Sequence, residues 1–427
     1  MKDMFVVTTI LGKIIASVLR LLGRGGGALP GLVVERVNKT YLSTALAKLP
    51  KGTVIVTGTN GKTTTTKILS ALLEKQGLRV LTNETGSNFV RGAIAAVLQR
   101  TSWIGTLPYD IAVFELDEAY ARKFVELVRP AGVVGLNILR DQMDRFGEID
   151  TTAKYVQKTA QAATEWLVLN ANDPRIAAAA AGTDVPVRWF GHASSLAQIF
   201  AGDDQHHAGE EITFFQAAEP NELLLSFGAD SVEIISDGAS SRYVTHLKGS
   251  HNAINIAAAI AAARCVVQDP TAEAISQVLL DLRPAFGRGE EVLLSSGGVL
   301  QLQLIKNPSG FTHSLASIQD EPFDVAAIAI NDNYADGRDV SWLWDVNFTA
   351  LSTRTVVCGG SRGSDMAVRL KYDGIVCEAV FGDFKELLTN INNHTKQRAI
   401  IFCTYTAMLR IRKLLQKEGV TMEQVAL

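Results

Sequence analysis

A glycine-rich turn between an apolar run and a threonine-rich run is the segment of this chain best suited to chemistry. Backbone N–H groups of such a turn, and of the helix that follows it, bind an anion. Lys62 is expected to reach the outer phosphates of a nucleotide, and Thr63 to ligate Mg²⁺ through its hydroxyl. The two glycines are closer together than in the common phosphate-binding loop, which indicates a narrower group of ATP users. In chain order the residues are Gly58, Thr59, Asn60, Gly61, Lys62, Thr63 and Thr64.

Two further polar side chains end apolar runs that have the character of strands. Glu115 follows one run and Asn137 follows the next. Because the carboxyl ends of parallel strands meet at one edge of a sheet, both side chains should face the phosphates. A carboxylate there suits Mg²⁺, which prefers oxygen ligands. The alternative is that the acidic group is a helix cap, which we favour for Glu118. Residues 140–146 should line the γ-phosphate.

The elements that must position these residues alternate between strand and helix from about residue 50. Strands separated by helical crossovers predict an α/β fold with a mostly parallel, doubly wound sheet. The region 186–248 has short alternating stretches and predicts antiparallel strands. Residues 284–290 are expected to form a hinge, and a second α/β sheet should begin at about 299. The expected divisions are 1–45 (N-terminal helix and linker), 46–284 (ATP-binding domain) and 285–427 (C-terminal α/β domain).

Composition narrows the function classes. Hydrophobic residues make up 47% of the 427 residues, which excludes a disordered chain. A net charge of −3 gives no case for nucleic acid as the main partner. The cysteines lack metal-binding spacing, so we expect small buried hydrophobes in a reducing cytosol, without disulfides or zinc. The four are Cys265, Cys358, Cys377 and Cys403.

The first fifty residues form a basic and partly apolar segment. They carry seven Lys/Arg against two acidic residues, and Lys13 and Arg20 interrupt the apolar run from Met4 to Leu22. Charges within the run make a transmembrane span or a signal peptide a poor fit. An amphipathic helix fits better. It either packs on the first sheet or contacts the anionic inner leaflet of a membrane. The protein is expected in the cytoplasm, with peripheral membrane contact as an option.

Taken in order, the motifs resemble the ATP site of the Mur ligase family. That family activates a carboxylate as an acyl phosphate, which an amine then attacks, and the resemblance implies ATP and Mg²⁺ as cofactors. It also implies an adenine contact for Asn252 and a nucleotide contact for Arg288, whereas a helix N-cap is the alternative for His251 and Asn252. The matching segments are 58–64, Glu115, Asn137 with 141–145, Asn170–Asp173, His251–Asn255 and Gly287–Arg288.

The chain departs from the family pattern in three places. Only about fifty residues precede the glycine-rich turn, too few for the N-terminal domain that holds a UDP-sugar in the amino-acid ligases. Gln142 stands where a histidine usually helps a second metal, so the number of Mg²⁺ ions is left open. The position of a lysine that is often carbamylated falls near Gln157, beside Lys158.

The C-terminal third resembles the MurT branch of the family through residues 306–311 and 331–345. This resemblance implies the synthetase subunit of an amidotransferase that converts D-glutamate in the stem peptide of lipid II to D-isoglutamine. The ammonia would come from a glutaminase subunit of the GatD type in a heterodimer. MurT proteins often carry a four-cysteine zinc ribbon in the middle domain. The corresponding region here has no cysteine, so none is expected.

The segment 331–345 carries more functional-looking residues than a plain loop needs. Trp342 and Trp344 are either core or interface anchors. Asp336, Asp339 and Asp345 could cap helices, contact Arg338 or orient a histidine in the partner, and for that last role we favour Asp339, then Asp345. The competing functions are a stand-alone amino-acid ligase, related to folylpolyglutamate synthases, and a non-catalytic ATP-binding scaffold.

Overall fold

A computed structural model describes residues 2–21, 28–83, 90–139, 149–197, 199–200, 217–228, 230–267, 270–282, 288–318 and 322–420. These residues form two sheets with helices packed on them, and the fold is α/β as predicted. The strands of the first sheet are β1 (Thr53–Thr57), β2 (Val80–Thr82), β3 (Ile111–Glu115), β4 (Gly132–Gly135), β5 (Trp166–Asn170), β6 (Val187–His192), β7 (Glu222–Phe227), β8 (Ser231–Ser236) and β9 (Ala239–Val244).

The central strands are short apolar runs that are buried on both faces, as helical crossovers on both sides of a parallel sheet require. The sheet order is β2-β3-β1-β4-β5-β6-β7-β8-β9, so β1 lies between β3 and β4. The carboxyl ends of these three strands therefore meet at one edge of the sheet. The helices of this region are α4 (Lys62–Lys75), α5 (Val90–Arg100), α6 (Glu118–Val125), α7 (Ile149–Gln161), α8 (Pro174–Ala178), α9 (Ser250–Val266) and α10 (Ala272–Asp281).

The prediction of antiparallel strands over 186–248 is wrong for its first strand. β6 pairs in parallel with both β5 and β7, and only β7, β8 and β9 pair antiparallel. The three antiparallel strands extend the main sheet at its edge, because β7 pairs directly with β6. The stretch at Ile212, which also suggested a strand, lies outside the described residues.

The second sheet has the order β10-β11-β15-β12-β13-β14. All its neighbouring pairs are parallel except β10 with β11. The expected hinge is partly wrong, since Arg288 already begins β10, while 283–287 lie outside the described residues. The elements are β10 (Arg288–Leu293), β11 (Val299–Leu304), α11 (Pro308–Ile318), β12 (Val325–Ala329), β13 (Thr355–Gly359), α12 (Gly363–Tyr372), β14 (Cys377–Phe381), α13 (Phe384–His394), β15 (Arg398–Cys403) and α14 (Tyr405–Lys417).

Three helices precede the first sheet: α1 (Lys2–Leu21), α2 (Ala28–Val37) and α3 (Tyr41–Leu46). One face of α1 packs on the body of the protein, where Phe5 stacks on Tyr41 with ring centroids 4.7 Å apart. The packing alternative for this segment therefore holds for one face of the helix. In the described part of the chain, no helix has the length and hydropathy to cross a bilayer.

Cys358 and Cys403 are buried, as the sequence predicts, whereas Cys265 and Cys377 are half-buried, and all four are free thiols. Burial raises the pKa of the Cys265 thiol to about 12. This agrees with an unreactive apolar role for that cysteine.

Candidate active site

The turn between β1 and α4 has a backbone that only glycine accommodates at two positions. Gly58 has φ +129°, and a Cβ there would lie 2.9 Å from the backbone of Asn137. Gly61 has φ +92°, and its Cβ would lie 2.2 Å from Oδ1 of Asn255. L-residues rarely adopt such φ values, and neither position has room for a side chain. The two glycines thus let the turn pack tightly against β4 and α9.

Asn137 holds this turn in place from the end of β4. Its Oδ1 accepts the Asn60 backbone N–H at 2.8 Å, and its Nδ2 donates to the Asn60 carbonyl at 3.0 Å. The Thr59 N–H donates to the Asn137 carbonyl at 2.9 Å. Both ends of the Asn137 amide therefore brace the turn, so the residue predicted to contact the nucleotide positions the loop that would do so.

Lys62 and Thr63 occupy the first turn of α4. The Lys62 side chain is buried, and its Nζ donates to the carbonyls of Gly58 at 2.5 Å and Thr59 at 3.1 Å. The ammonium group is thereby folded over the mouth of the loop. Thr63 is exposed, whereas Thr64 points inward and its hydroxyl is buried without a hydrogen-bond partner among the described residues. Of these two hydroxyls, that of Thr63 is the accessible one.

The end of β3 brings three carboxylates towards the same loop. Glu115 is buried, and its backbone N–H and carbonyl bond to the side chain of Asn83 at 3.0 and 2.8 Å. The capping role expected for Glu118 is wrong, because this residue is the first of α6, is buried and accepts a hydrogen bond from Thr59 Oγ1 at 3.2 Å. Asp117 occupies the N-cap position, but its side chain makes no cap hydrogen bond.

Asp117 is half-buried beside this loop. Its Oδ1 is buried and has no hydrogen-bond partner among the described residues. Burial raises its pKa to about 6, and the neighbouring carboxylate of Glu118 acts in the same direction, whereas Lys62 and Lys306 oppose it. The backbone N–H of Ala119 bonds to this carboxylate and lowers its pKa, so the buried Oδ1 is the oxygen that a nearby divalent cation would satisfy. The oxygen groups on this edge, which include the hydroxyl of Thr63 and the carboxylate of Glu115, are of the type that Mg²⁺ prefers.

Helix α9 runs against the glycine-rich turn. Asn252 is buried near its beginning, and its Nδ2 donates to the Lys248 carbonyl at 2.7 Å. The capping alternative for Asn252 is wrong, since Gly249 is the N-cap residue. Asn255, three residues later, is buried and its Nδ2 has no hydrogen-bond partner among the described residues. Arg288 begins β10 on the second sheet, and its side chain lies outside the described residues.

A contact with the second sheet completes the loop, and the sequence did not single it out. The side-chain amides of Asn60 and Asn307 bond to each other. Asn60 Nδ2 donates to Asn307 Oδ1 at 3.3 Å, and Asn307 Nδ2 donates to Asn60 Oδ1 at 3.1 Å. Asn307 also accepts the Gly310 N–H at 2.8 Å at the start of α11. In the sequence, the segment that contains Lys306 and Asn307 is distinguished only by its resemblance to the MurT branch. Its position in a polar run directly after β11 is the signal that could have placed it at the site.

The three aspartates of 331–345 have different environments. Asp336 is buried and accepts hydrogen bonds from the backbone N–H and the hydroxyl of Thr406, at 2.6 and 2.5 Å, where α14 begins. Asp339 is exposed, and its Oδ1 accepts the Ser341 N–H at 2.8 Å. Asp345 is also exposed. Asp336 therefore bonds to the first turn of α14, which agrees with the helix-capping alternative. Asp339 and Asp345, which were favoured for the role in the partner's site, face solvent.

The two tryptophans of this segment have different environments: Trp342 packs on the core, and Trp344 is exposed. Trp342 packs edge-to-face on buried Phe311 at 6.4 Å between ring centroids, as part of the core. Trp344 is 52% exposed and meets Tyr372, itself 74% exposed, at 5.1 Å. The guanidinium of Arg369 lies 5.3 Å from the Trp344 ring centroid. Trp344 and Tyr372 form an exposed aromatic pair, which we call the aromatic surface.

Some predicted features cannot be placed. The segment 140–146, which includes Gln142, lies outside the described residues. Lys158 is exposed on α7. Among the described residues there is no cluster of three or more His, Cys, Asp or Glu side chains arranged to hold a metal ion.

Comparison with known proteins finds two family matches along the chain. Residues 56–263 match the Mur ligase middle domain, and residues 304–408 match the MurT ligase C-terminal domain. The MurT subunit of lipid II isoglutaminyl synthase (glutamine-hydrolyzing) from Streptococcus pneumoniae is 32% identical, over 96% of each chain. The corresponding subunit from Staphylococcus aureus is 28% identical over 84% of this chain and 86% of its own.

A solved structure supports the fold alone. The MurF ligase of Thermotoga maritima in complex with ADP superposes with a TM-score of 0.66 at 16% identity, covering 91% of this chain and 84% of its own. The glycine-rich turn and the strand-end carboxylates lie within the middle-domain match, and residues 331–345 lie within the C-terminal match. The chain therefore belongs to the Mur ligase family, in the branch formed by the MurT subunits of lipid II isoglutaminyl synthase.

Proposed function

We propose that this chain is the synthetase subunit of a glutamine-dependent amidotransferase that amidates the α-carboxylate of D-glutamate in the stem peptide of lipid II. The observation that carries the proposal is the braced glycine-rich turn, with Lys62 over its carbonyls and Asn307 of the second sheet bonded to Asn60. A carboxylate substrate held between the two sheets would meet the outer phosphate at this point. The relatives from both cocci carry the name of that synthase.

The proposed reaction has two steps. A carboxylate oxygen attacks the γ-phosphorus of ATP, the bond to the bridging oxygen breaks, and ADP leaves with an acyl phosphate remaining. Ammonia then attacks the acyl carbon, the C–O bond to phosphate breaks, and inorganic phosphate leaves as the amide forms and the nitrogen loses a proton. Lys62 would neutralise charge on the transferring phosphoryl group, and the backbone N–H groups of the turn would hold the phosphates. Asn252 and Arg288 are proposed to contact the nucleotide.

The residues that would hold Mg²⁺ are Thr63 and Glu115. The metal, when bound, would neutralise phosphate charge and help to align the outer phosphates. Asp117, whose buried Oδ1 has no hydrogen-bond partner among the described residues, is a further carboxylate that would gain from a cation. We propose no zinc site in this chain.

The ammonia is proposed to come from a GatD-type glutaminase that binds the second sheet as a heterodimer partner. Asp339 is exposed on the loop after β12, and the exposed Trp344 of the aromatic surface follows five residues further along the chain. Exposed aromatic residues are enriched in protein interfaces. Asp339 would orient a histidine of the partner through a hydrogen bond, and Asp345 is the second candidate for that role.

One assay separates the candidate functions. The purified chain is incubated with ATP and lipid II, with either ammonium or glutamine, and with or without the glutaminase. The proposal predicts ADP release and amidated lipid II with ammonium alone, and with glutamine only when the glutaminase is present. ADP release that depends on an added amino acid would instead indicate a stand-alone ligase. Absence of turnover under every condition would indicate a scaffold.

A single substitution tests the role of Asp339. The variant Asp339→Asn keeps the hydrogen bond to Ser341 within reach but removes the charge, so the ammonium-dependent reaction should be unchanged. Glutamine-dependent amidation should fall by about 10²-fold or more, since the partner's histidine would lose its orienting anion. The comparison variant is Asp345→Asn, the second candidate, which is also exposed on this segment, and a loss confined to Asp345→Asn would assign the role to that residue. Unchanged glutamine-dependent turnover in Asp339→Asn contradicts the assignment.

The proposed place of action is the cytoplasmic face of the membrane, because the proposed substrate is anchored in a lipid. Contact with that face would be peripheral.

A further inference from the structure

The N-terminal helix α1 presents its apolar side outward. Its inner face is fixed to the body, where Thr9 Oγ1 lies 3.2 Å from the Tyr41 hydroxyl and a Cβ on Gly12 would lie 2.7 Å from Val34. Thr8 and Thr9 are fully buried on this inner face, whereas most of the large aliphatic side chains of α1 lie on the exposed face. Exposed apolar residues of α1 recur every three or four positions, as they do along one face of a helix. They are Met4, Val7, Ile10, Leu11, Ile14, Val18 and Leu21.

A neighbouring turn enlarges this apolar face. Trp103 is 53% exposed and Ile104 is 79% exposed. Lys13 lies over the Trp103 ring, with Nζ 5.5 Å from its centroid, and this lysine also donates to the Gln99 carbonyl at 3.2 Å. Lys48 donates to the Gly105 carbonyl at 3.4 Å and lies 4.3 Å from the Phe5 ring centroid. The turn is thus held beside α1, and the exposed row of α1 with Trp103 and Ile104 forms what we call the apolar surface.

The charged residues in the segments that form and adjoin this surface are mostly basic. Within residues 4–19, 29–46 and 101–106 the acidic side chain is Glu35, which pairs with Arg91 at 3.0 Å. The same ranges include Lys13, Arg36 and Lys39, and Lys48 follows directly. An apolar face edged by lysine and arginine complements an anionic bilayer, in which the aliphatic side chains enter the acyl boundary and the cations meet lipid phosphates. Tryptophan is enriched at this depth of a membrane.

A partner helix fits the surface less well. The apolar row follows coiled-coil spacing, but its flanking positions include the uncharged Ile15 and Ser17. Coiled coils use opposite charges at flanking positions to fix the partner and its direction. The exposed turn at Trp103 also lies outside any helix-on-helix seam, whereas a planar bilayer can contact helix and turn together.

We propose that the apolar surface docks α1 in the plane of an anionic lipid bilayer. Docking of this kind holds the chain at the membrane without a transmembrane span. A helix of twenty residues in this orientation lies along about 30 Å of the bilayer surface. The inference rests on α1 and the turn at Trp103, and it does not depend on the reaction proposed above.

The test compares binding of the full chain to vesicles of phosphatidylglycerol and phosphatidylcholine in equal amounts. The double variant Val7→Glu with Val18→Glu places two anions on the surface at positions 59% and 48% exposed. The matched control, Val244→Glu with Leu293→Glu, adds the same charge at exposed apolar positions elsewhere, 43% and 66% exposed. Thermal unfolding of both variants is measured to establish that they fold as the wild type does.

The proposal predicts that the wild type and the control bind the vesicles equally and that the α1 variant binds at least about tenfold more weakly. Binding of the wild type should weaken with added salt and on vesicles of phosphatidylcholine alone. Equal binding by the α1 variant, or no binding by the wild type, overturns the proposal. So does a wild-type dimer that the α1 variant converts to a monomer without any vesicle binding, because the surface would then join two copies.

The same preparations separate this inference from the proposed reaction. Vesicle binding is measured without ATP, and turnover is measured with ammonium on a soluble stem-peptide acceptor and on lipid II in vesicles. The α1 variant should keep the soluble reaction and lose most of the vesicle reaction. If no preparation turns over any acceptor, the proposed reaction fails while the vesicle binding still decides the membrane inference.

Discussion

The turn after β1 and the segment 331–345 both concentrate polar residues after a strand of a parallel sheet, yet they use them differently. At the turn, the polar side chains bond to the protein itself: Asn137 to Asn60, Thr59 to Glu118, and Lys62 to two carbonyls. In 331–345 the residues nearest β12 and Asp336 bond to the protein in the same way, as Asp332 does to Arg362, whereas the side chains of Asp339 and Trp344 are exposed to solvent. A site that satisfies its own polar groups is pre-organised before its ligand arrives. A segment that leaves charged and aromatic groups exposed is suited to a partner.

Four substitutions would break or sharpen this comparison, and the largest effect is expected at Lys62. Lys62→Ala removes the buried cation from the mouth of the turn, and ATP turnover should fall by about 10³-fold because the transferring phosphoryl group loses its charge partner. ADP release with ammonium as nucleophile measures the effect. Lys67→Ala, an exposed position on the same helix, is the control. A loss of similar size in the control would mean that the helix as a whole, and not the cation, is responsible.

Trp344→Ala should weaken only the binding of the glutaminase partner and leave the glycine-rich turn unaffected. Removal of an exposed aromatic anchor is expected to weaken binding of the glutaminase by about 2 kcal/mol, or roughly thirtyfold in Kd. Titration calorimetry with the purified partner measures this, and ammonium-dependent turnover should be unchanged. Trp103→Ala is the matched control, since the two indoles are 52% and 53% exposed. If both variants bind the partner as the wild type does, the aromatic surface is not the docking site.

Asn137→Ala tests whether the turn is pre-organised by the protein. The change removes both hydrogen bonds to the Asn60 backbone, so the free energy of unfolding should fall by about 1–3 kcal/mol. Affinity for ATP should fall as well, because the loop would have to be ordered on binding. Denaturant unfolding and nucleotide titration measure the two effects. The exposed Asn393 provides the control Asn393→Ala, and an unchanged stability of Asn137→Ala would contradict the bracing role.

Asp117→Asn tests the buried carboxylate through its pH dependence. Its pKa is raised from 3.8 to about 6, so the folded chain binds the proton more tightly than the unfolded chain does. The stability contributed by the protonated form is complete below the unfolded value and is lost as the pH rises towards 6. Without ligand at pH 7, Asp117→Asn should therefore be more stable than the wild type by about 1–2 kcal/mol, a figure reduced for partial exposure.

The difference between Asp117→Asn and the wild type should vanish at pH 4, where both side chains are largely neutral. Thermal unfolding at the two pH values measures it. Asp184→Asn, at an exposed position, should show no such dependence. Equal stability of Asp117→Asn and the wild type at pH 7 would mean that the carboxylate is adequately paired.

Much of the ATP site could be predicted because its chemistry is local. Gly58 and Gly61 mark backbone conformations that other residues rarely adopt, and a lysine with threonines after them defines a phosphate loop. The strand ends at Glu115 and Asn137 follow from the period of the apolar runs. The role of Asn137 was not predictable, because an amide can bond to a ligand or to a neighbouring loop, and only its distance to Asn60 decides between them.

The same reasoning explains the errors. Glu118 was predicted to cap a helix from its place in the sequence, but it is the first residue of α6, and its carboxylate accepts a hydrogen bond from Thr59. The strand Val187–His192 was predicted to be antiparallel from its alternating pattern, but it pairs in parallel with both neighbours. The direction of a strand in a sheet is set by the strands beside it, and its own alternation does not reveal it. Which side of α1 packs against the body also depends on the shape of the surface it meets. The close approach at Gly12 and the stacking of Phe5 turn the aliphatic row outward.

By itself, the sequence determined the α/β class, the phosphate loop and the membership of the Mur ligase family, because these depend on residue type and on spacing along the chain. The tertiary structure alone decided that Asn60 pairs with Asn307 across the two sheets, that Asp336 is buried while Asp339 is exposed, and that α1 is apolar on its outer face. These properties depend on which distant segments come within a few ångströms of one another. Local spacing does not specify those distances, because packing of the whole chain sets them.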